Sequence, residues 1–293
     1  MTGSLKKILW ATDFSDEAKE ALLYAEAIAK SFKAELMALH VVPDFSPAFY
    51  DFAAVIKGEI AKRIGAVKKK AKMKLEGMAK SMGLSLDIII QEGTASKKIV
   101  EIAAREEADL IVMGKRGHSA IEKLFLGSVA NQVLRNSSVP VLITKKKRGK
   151  PRFKKIIVPT DFSEQEELER DYAWMLAKGL DASELCLLHV LELHDYEFSP
   201  RELDEIMASI LKRLQQRKKR EKGNFKVTED VYRAINAPLG IVDYAETHKY
   251  DMIVISSSTQ SNLERFFLGS TTEKVISYSH LPVFVIPPSY RIG

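Results

Sequence analysis

Short apolar runs alternate along this chain with longer stretches in which apolar residues recur every three or four positions. The runs in the first half are Ile8–Ala11, Leu36–Val42, Leu86–Ile90, Leu110–Met113 and Val139–Thr144. Each is apolar at nearly every position, as a parallel strand buried on both faces requires. Between the first two, Ala18, Ala21, Leu22, Ala25 and Ala29 keep helical spacing. Ser15 is placed to cap that helix, with Asp16 and Glu17 in its first turn, where the helix dipole favours negative charge.

The same plan is written twice. KKILWATDFS (6–15) returns as KKIIVPTDFS (154–163), ELMALHVV (35–42) as ELCLLHVL (184–191), ADLIVMG (108–114) as YDMIVIS (250–256), and SSVPVLIT (137–144) as SHLPVFVI (279–286). Equal order and near-constant separation mark a tandem duplication. Residues 145–152, KKKRGKPR, read as the linker, so the expected domains are 1–147 and 153–293. In the second half Ser163 with Glu166, and Ser199 with Glu202, have capping-box spacing, and Pro200 stands at a first helical position. Long basic helices are expected near 55–82 and 200–221.

Strand–helix alternation predicts, in each half, a parallel sheet with helices on both faces. Ligands of such sheets bind beyond the carboxyl ends of strands, where strand order reverses. Asp13 follows the first strand and Gly114 ends the fourth, so neighbouring strands would set both on one crevice. The last strands, Val139–Thr144 and Val283–Ile286, read as edges, each with a proline (Pro140, Pro282) that removes a ladder donor. The expectation is that these edges pair with each other, giving an intramolecular pseudo-dimer, or with another chain in a homodimer.

Composition narrows the classes. A chain of 293 residues with 46% hydrophobic content fits two globular domains. The single cysteine, Cys186, excludes an internal disulfide framework and reads as an inert core residue. The apolar run near the N-terminus is too short for a signal peptide or a membrane span, and a cytoplasmic location is expected. The net charge of +6 sits in local runs (68–74, 145–155, 212–222). These read as solvated faces and a linker, without the aromatic interleaving of a single-strand binder, which disfavours nucleic acid as a partner. No His, Cys and carboxylate cluster has metal-ligand spacing, and His40 and His189 read as structural.

The chemistry concentrates in GKRGHSAIEKLFLGS (114–128), with glycines in the pattern G-x2-G-x9-G followed by serine. A helix is expected over 129–135, whose first amides lack intrahelical partners and favour an anion. Ser128 is placed to cap it. Gly114 and Gly117 are expected to use positive φ and a close backbone approach. Lys115 and Arg116 would add charge, with His118 in reach. Together these form a phosphate cradle that is neither a Walker loop nor a GxGxxG dinucleotide signature.

With ATDFS and PTDFS, the repeated LHV, and residues 108–134 on the page, the chain resembles the universal stress protein family across both halves. Gly114, Gly117, Gly127 and Ser128 match the motif of that family's nucleotide-binding branch. The resemblance implies two Rossmann-like (adenine nucleotide alpha hydrolase-like) α/β domains. Each is a five-stranded parallel sheet of order 3-2-1-4-5, and dimers of the family use the last strand. The implied ligand is ATP or AMP, with Mg or Mn possible beside ATP. By position, Ala11, Thr12 and Asp13 would hold the adenosine end and Val41 the adenine edge. Met113 and Gly114 would line base and ribose, and Gly117, Gly127, Ser128 and Val129 would hold phosphates, with Arg116 and His118 beside them. Ala11 departs from the proline seen in the second copy at Pro159, and Ala95 departs from the family's usual proline.

The second copy keeps Asp161, Gly269 and Ser270 but has Ser256 and Thr259 for the first two glycines. If those glycines used positive φ, serine and threonine would be strained there. The second site, formed by Pro159, Thr160, Asp161, Val190, Ile255, Ser256, Gly269, Ser270 and Thr271, is therefore expected to bind nucleotide weakly or not at all; the alternative is a weakened site that holds a monophosphate through Asp161 and the Gly269-Ser270 helix start. The leading reading is a non-catalytic nucleotide-binding stress or regulatory protein. A slow ATPase or nucleotide hydrolase, and a scaffold with vestigial sites, remain as alternatives.

Overall fold

Each apolar run becomes a strand and each amphipathic stretch a helix. The computed structural model describes residues 4–44, 54–117, 126–145, 149–163, 166–193, 198–216, 223–257 and 268–287. The first half runs β1 (Lys7–Ala11), α1 (Asp16–Phe32), β2 (Glu35–Val42), α2 (Ala54–Met82), β3 (Asp87–Glu92), α3 (Ala95–Arg105), β4 (Leu110–Gly114), α4 (Ser128–Asn136) and β5 (Val141–Thr144). The second runs β6 (Lys155–Pro159), α5 (Glu166–Gly179), β7 (Glu184–Glu192), α6 (Pro200–Gln216), β8 (Lys226–Ala234), α7 (Ala237–Thr247), β9 (Met252–Ser256), α8 (Ser270–Tyr278) and β10 (Val283–Ile286).

The strands form one ten-stranded sheet of order β3-β2-β1-β4-β5-β10-β9-β6-β7-β8. Within each half the pairing is parallel. The halves join where β5 and β10 run antiparallel, with Leu142 opposite Phe284. The two last strands are therefore the middle of the sheet, not its margin. Val139 and Pro140 stay outside β5: Val139 N donates to the Ser137 hydroxyl at 2.9 Å, and the ladder starts only after the proline.

Alternate residues of β1 feed two cores. Ile8 and Trp10 face α1 and α2, and Leu9 and Ala11 face α3 and α4. Both cores continue across the join, one taking in Phe284 and Tyr172, the other Val283 and Val275. Trp10 is fully buried, and its indole Nε1 donates to the Ala18 carbonyl at 2.8 Å, satisfying the one polar atom it brings inside.

The caps explain the helix starts. Ser15 accepts from Ala18 N at 3.2 Å. Ser199 and Glu202 make a reciprocal box, with Ser199 N donating to Glu202 at 2.8 Å. Ser163 and Glu166 do not repeat it. The Ser163 backbone carbonyl takes the Glu166 amide, while the Glu166 side chain is buried near Arg170, 3.6 Å away. Helix α6 is described as far as Gln216, and the expected continuation over 217–221 lies outside the described residues.

Candidate functional site

The sequence TDFS folds identically in both halves. Thr12 Oγ1 accepts from Phe14 N at 3.0 Å and Asp13 Oδ1 from Ser15 N at 2.9 Å. Thr160 and Asp161 do the same for Phe162 and Ser163 at 3.1 and 2.9 Å. The tight turn places Phe14 at φ 68° and Phe162 at φ 63°. A left-handed phenylalanine costs about 1–3 kcal/mol, which these local bonds offset. Behind each turn stands a histidine. His40 Nδ1 lies 2.8 Å from the Thr12 carbonyl and its ring packs on Phe14, and His189 repeats this with Thr160 and Phe162. The histidines hold the aspartate turns, a positioning role.

Beyond the carboxyl ends of β1 and β4 opens a crevice of about 320 Å³. Ala11, Thr12, Asp13, Val41 and Met113 line its inner part. Gly114, Arg116, Gly117, Gly127, Ser128 and Val129 line the rest, so eleven of the twelve residues singled out in the first half meet at one place. The twelfth, His118, lies outside the described residues. Leu39, Ala95 and Ile99 complete the apolar wall.

The glycines work through space, not through φ. None of Gly114, Gly117 and Gly127 has positive φ. A Cβ on Gly114 would stand 2.9 Å from Glu17 Cβ, and one on Gly127 2.9 Å from the Lys115 carbonyl oxygen. The expectation of strained φ at Ser256 falls with this, because its counterpart Gly114 has none. Ser256 sits buried at the end of β9, and Thr259 lies outside the described residues.

Gly127, not Ser128, is the cap of α4. Having no side chain, it leaves the first turn without a side-chain acceptor. Thr94 makes no side-chain cap on α3 either, so two helix starts face the same crevice uncapped. Arg116 is fixed beside them by Glu17, which accepts from its backbone N at 2.8 Å and its guanidinium at 2.6 Å. Arg116 Nε is buried with no acceptor among the described residues.

Lys115 lines the crevice, but its amine reaches into the other half. It is fully buried, and its Nζ donates to the Ser277 carbonyl at 2.7 Å, in α8 of the other half. Lys145 reaches the same carbonyl at 3.2 Å. Burial, then the neighbouring Lys145, draws the Lys115 amine down to about 7. Its charge serves the last turn of α8, where exposed carbonyls attract cations.

The second crevice, about 550 Å³, is lined by all nine residues singled out in that half: Pro159, Thr160, Asp161, Val190, Ile255, Ser256, Gly269, Ser270 and Thr271. The sequence reading missed Glu169, which also lines it. Glu169 is 5% exposed and accepts from Ser256 N at 2.6 Å. Burial pushes its carboxyl up to about 7. An acidic residue early in a helix reads as dipole-favoured surface, and only its helical phase, at the place of Ala21, hinted otherwise. Among the described residues no cluster of three or more His, Cys, Asp or Glu is placed to hold a metal ion. No described helix is long and apolar enough to cross a membrane.

Two α/β repeats joined in one sheet, each with a crevice at its strand ends and a glycine-capped helix facing it, define a tandem Rossmann-like protein. The universal stress protein family model matches residues 4–145 and again 152–287, and the chain belongs to that family. It is 41% identical over 142 residues to Universal stress protein MJ0531 of Methanocaldococcus jannaschii, covering 48% of this chain and 82% of that one. Universal stress protein MJ0577 of the same organism is 34% identical over 163 residues, 51% of this chain and all of its own length. A crystal structure of a universal stress protein from Archaeoglobus fulgidus aligns over 96% of both chains with TM-score 0.65 and 24% identity, a likeness of fold.

Proposed function

We propose that this chain is an adenine-nucleotide-binding stress or regulatory protein that works by binding rather than catalysis. The first repeat, 1–147, holds ATP or AMP, and the second, 153–293, does not bind nucleotide with comparable strength. The observation that carries this reading is the donor set of the first crevice. Two helix starts without side-chain caps converge there with Arg116, whose buried Nε has no acceptor among the described residues. Oriented amides and a fixed guanidinium recognise phosphate oxygens. The apolar slot of Val41, Ile99 and Met113 suits a purine ring, and the Asp13 carboxylate suits ribose hydroxyls. A divalent Mg or Mn ion would enter with the triphosphate. The antiparallel join of β5 to β10 supports reading the two repeats as an intramolecular pseudo-dimer.

The test is equilibrium dialysis of ATP and AMP against nucleotide-stripped protein, with phosphate release followed in parallel. One site per chain, lost in Gly127→Arg with the melting temperature kept, is the expected result. No uptake by the native chain overturns the reading, and steady phosphate release proportional to protein overturns its non-catalytic part.

A further inference from the structure

The second crevice keeps the ring slot of the first and the uncapped start of the last helix at Gly269, and loses the cationic side chain. Pro159, Val190, Ile241 and Ile255 stand where the first crevice has Ala11, Val41, Ile99 and Met113. Asp161 is oriented by Ser163 N as Asp13 is by Ser15 N. The ring-and-hydroxyl end is thus preserved.

The other end is inverted in charge. Arg116 is replaced by Ser258. Among the described residues, no lysine or arginine lines the second crevice, while Asp161 and Glu169 both do. Two of the backbone donors around it are taken by internal carboxylates. Glu169 accepts from Ser256 N, and Glu192, at the place of Pro43, accepts from Ala237 N in the first turn of α7. Asn236 caps the same helix, accepting from Leu239 N at 3.0 Å, where its counterpart Thr94 makes no such bond. A phosphate entering here meets the Asp161 carboxylate and the Glu169 carboxyl, finds the Ser256 and Ala237 amides engaged, and keeps only the start of α8, with no lysine or arginine beside it among the described residues. What remains exposed to a ligand is a pair of hydroxyls, on Ser270 and Thr271, beside an acidic acceptor.

We propose that the second crevice is a site for an uncharged purine nucleoside, with Asp161 accepting from its hydroxyls and Glu169 excluding phosphate. This rests on the family fold placing ligands at the strand ends, but not on nucleotide occupancy of the first crevice. The shape of the slot fits a planar ring, and the polar groups fit neutral donors.

The test uses the full chain with adenosine and AMP as probes in calorimetry or dialysis. Adenosine is expected to bind one further site on a chain already saturated with AMP. With the first crevice closed by Gly127→Arg, adenosine is expected to bind at least tenfold tighter than AMP. Glu169→Ala is expected to raise AMP affinity at that site about tenfold while adenosine changes little. Gly269→Arg should abolish the adenosine site alone. No adenosine uptake by the AMP-saturated chain, or AMP binding as tightly as adenosine in the Gly127→Arg chain, overturns the proposal. If the native chain takes up no AMP, the first-crevice reading fails, and adenosine uptake abolished by Gly269→Arg still decides this one. Should Gly127→Arg not fold, adenosine titration of the AMP-saturated native chain is decisive by itself.

Discussion

Gly117 packs directly against the carboxylate of Asp13: a Cβ built on the glycine would lie 2.3 Å from Asp13 Oδ2. The glycine loop and the aspartate turn are therefore fitted to each other, and one methyl group is enough to part them. Gly117→Ala is expected to weaken ATP and AMP binding by at least about tenfold, ~1.4 kcal/mol. Because the contact is with the end of a side chain, the melting temperature should hold. Calorimetric titration with a parallel melt checks both.

Gly114 is different, because its neighbours are a Cβ and backbone of α1, at 2.9 and 3.0 Å. Gly114→Ser, which installs the residue of the second copy, should cost about 1–3 kcal/mol of stability through overpacking. Urea denaturation measures this, and an unchanged midpoint would contradict the steric account of the glycine.

Glu169 makes stability depend on pH with a definite sign. Its folded pKa, about 7, lies above the ordinary 4.5, so the folded chain holds a proton that the unfolded chain gives up. Its contribution is complete below 4.5 and is lost as pH rises through about 7. The loss is on the order of 3 kcal/mol. Glu169→Gln should flatten that part of the denaturation profile.

Lys115 acts in the opposite sense. Its amine is drawn from 10.5 to about 7, so stability from this group is complete above 10.5 and declines as pH falls toward 7. Lys115→Met should remove that slope while leaving the slope from Glu169 in place. A double series of denaturant midpoints across both windows separates the two.

Phe284 is fully buried at the join, opposite Leu142 and 5.8 Å from the Tyr172 ring. Phe284→Ala should cost about 3–5 kcal/mol. Loss of cooperativity between the halves, seen as two calorimetric transitions, would accompany it.

The fold was legible because its signals are local and repeated. Continuous apolar runs such as Leu110–Met113 admit few alternatives to a buried parallel strand, and Ser15 and the Ser199–Glu202 box announce their helices. The crevice residues were legible through TDFS and the glycine loop. What was not legible depends on three-dimensional neighbours. Nothing in the string says that Gly114 is glycine because α1 passes 2.9 Å away, or that Lys115 turns from the ligand side to Ser277, 162 positions on. Glu169 lies among acidic residues that look like a solvated helix start, and only the sheet behind it shows that this one points inward. The left-handed Phe14 and Phe162 were hidden for a related reason: phenylalanine has no preference for that conformation, and the hydrogen bonds of its neighbours impose it.

The shared acceptor at Ser277 bears on how the duplication became permanent. Once Lys115 and Lys145 of the first repeat gave up solvent for a carbonyl of the second, neither repeat was any longer a free-standing unit. A first repeat released from its twin would keep two amines gathered around a missing acceptor and would bare the apolar flank of β5. Cutting the linker would thus yield fragments that reassociate. The two copies are tied into a single object by one carbonyl that serves amines from the other repeat.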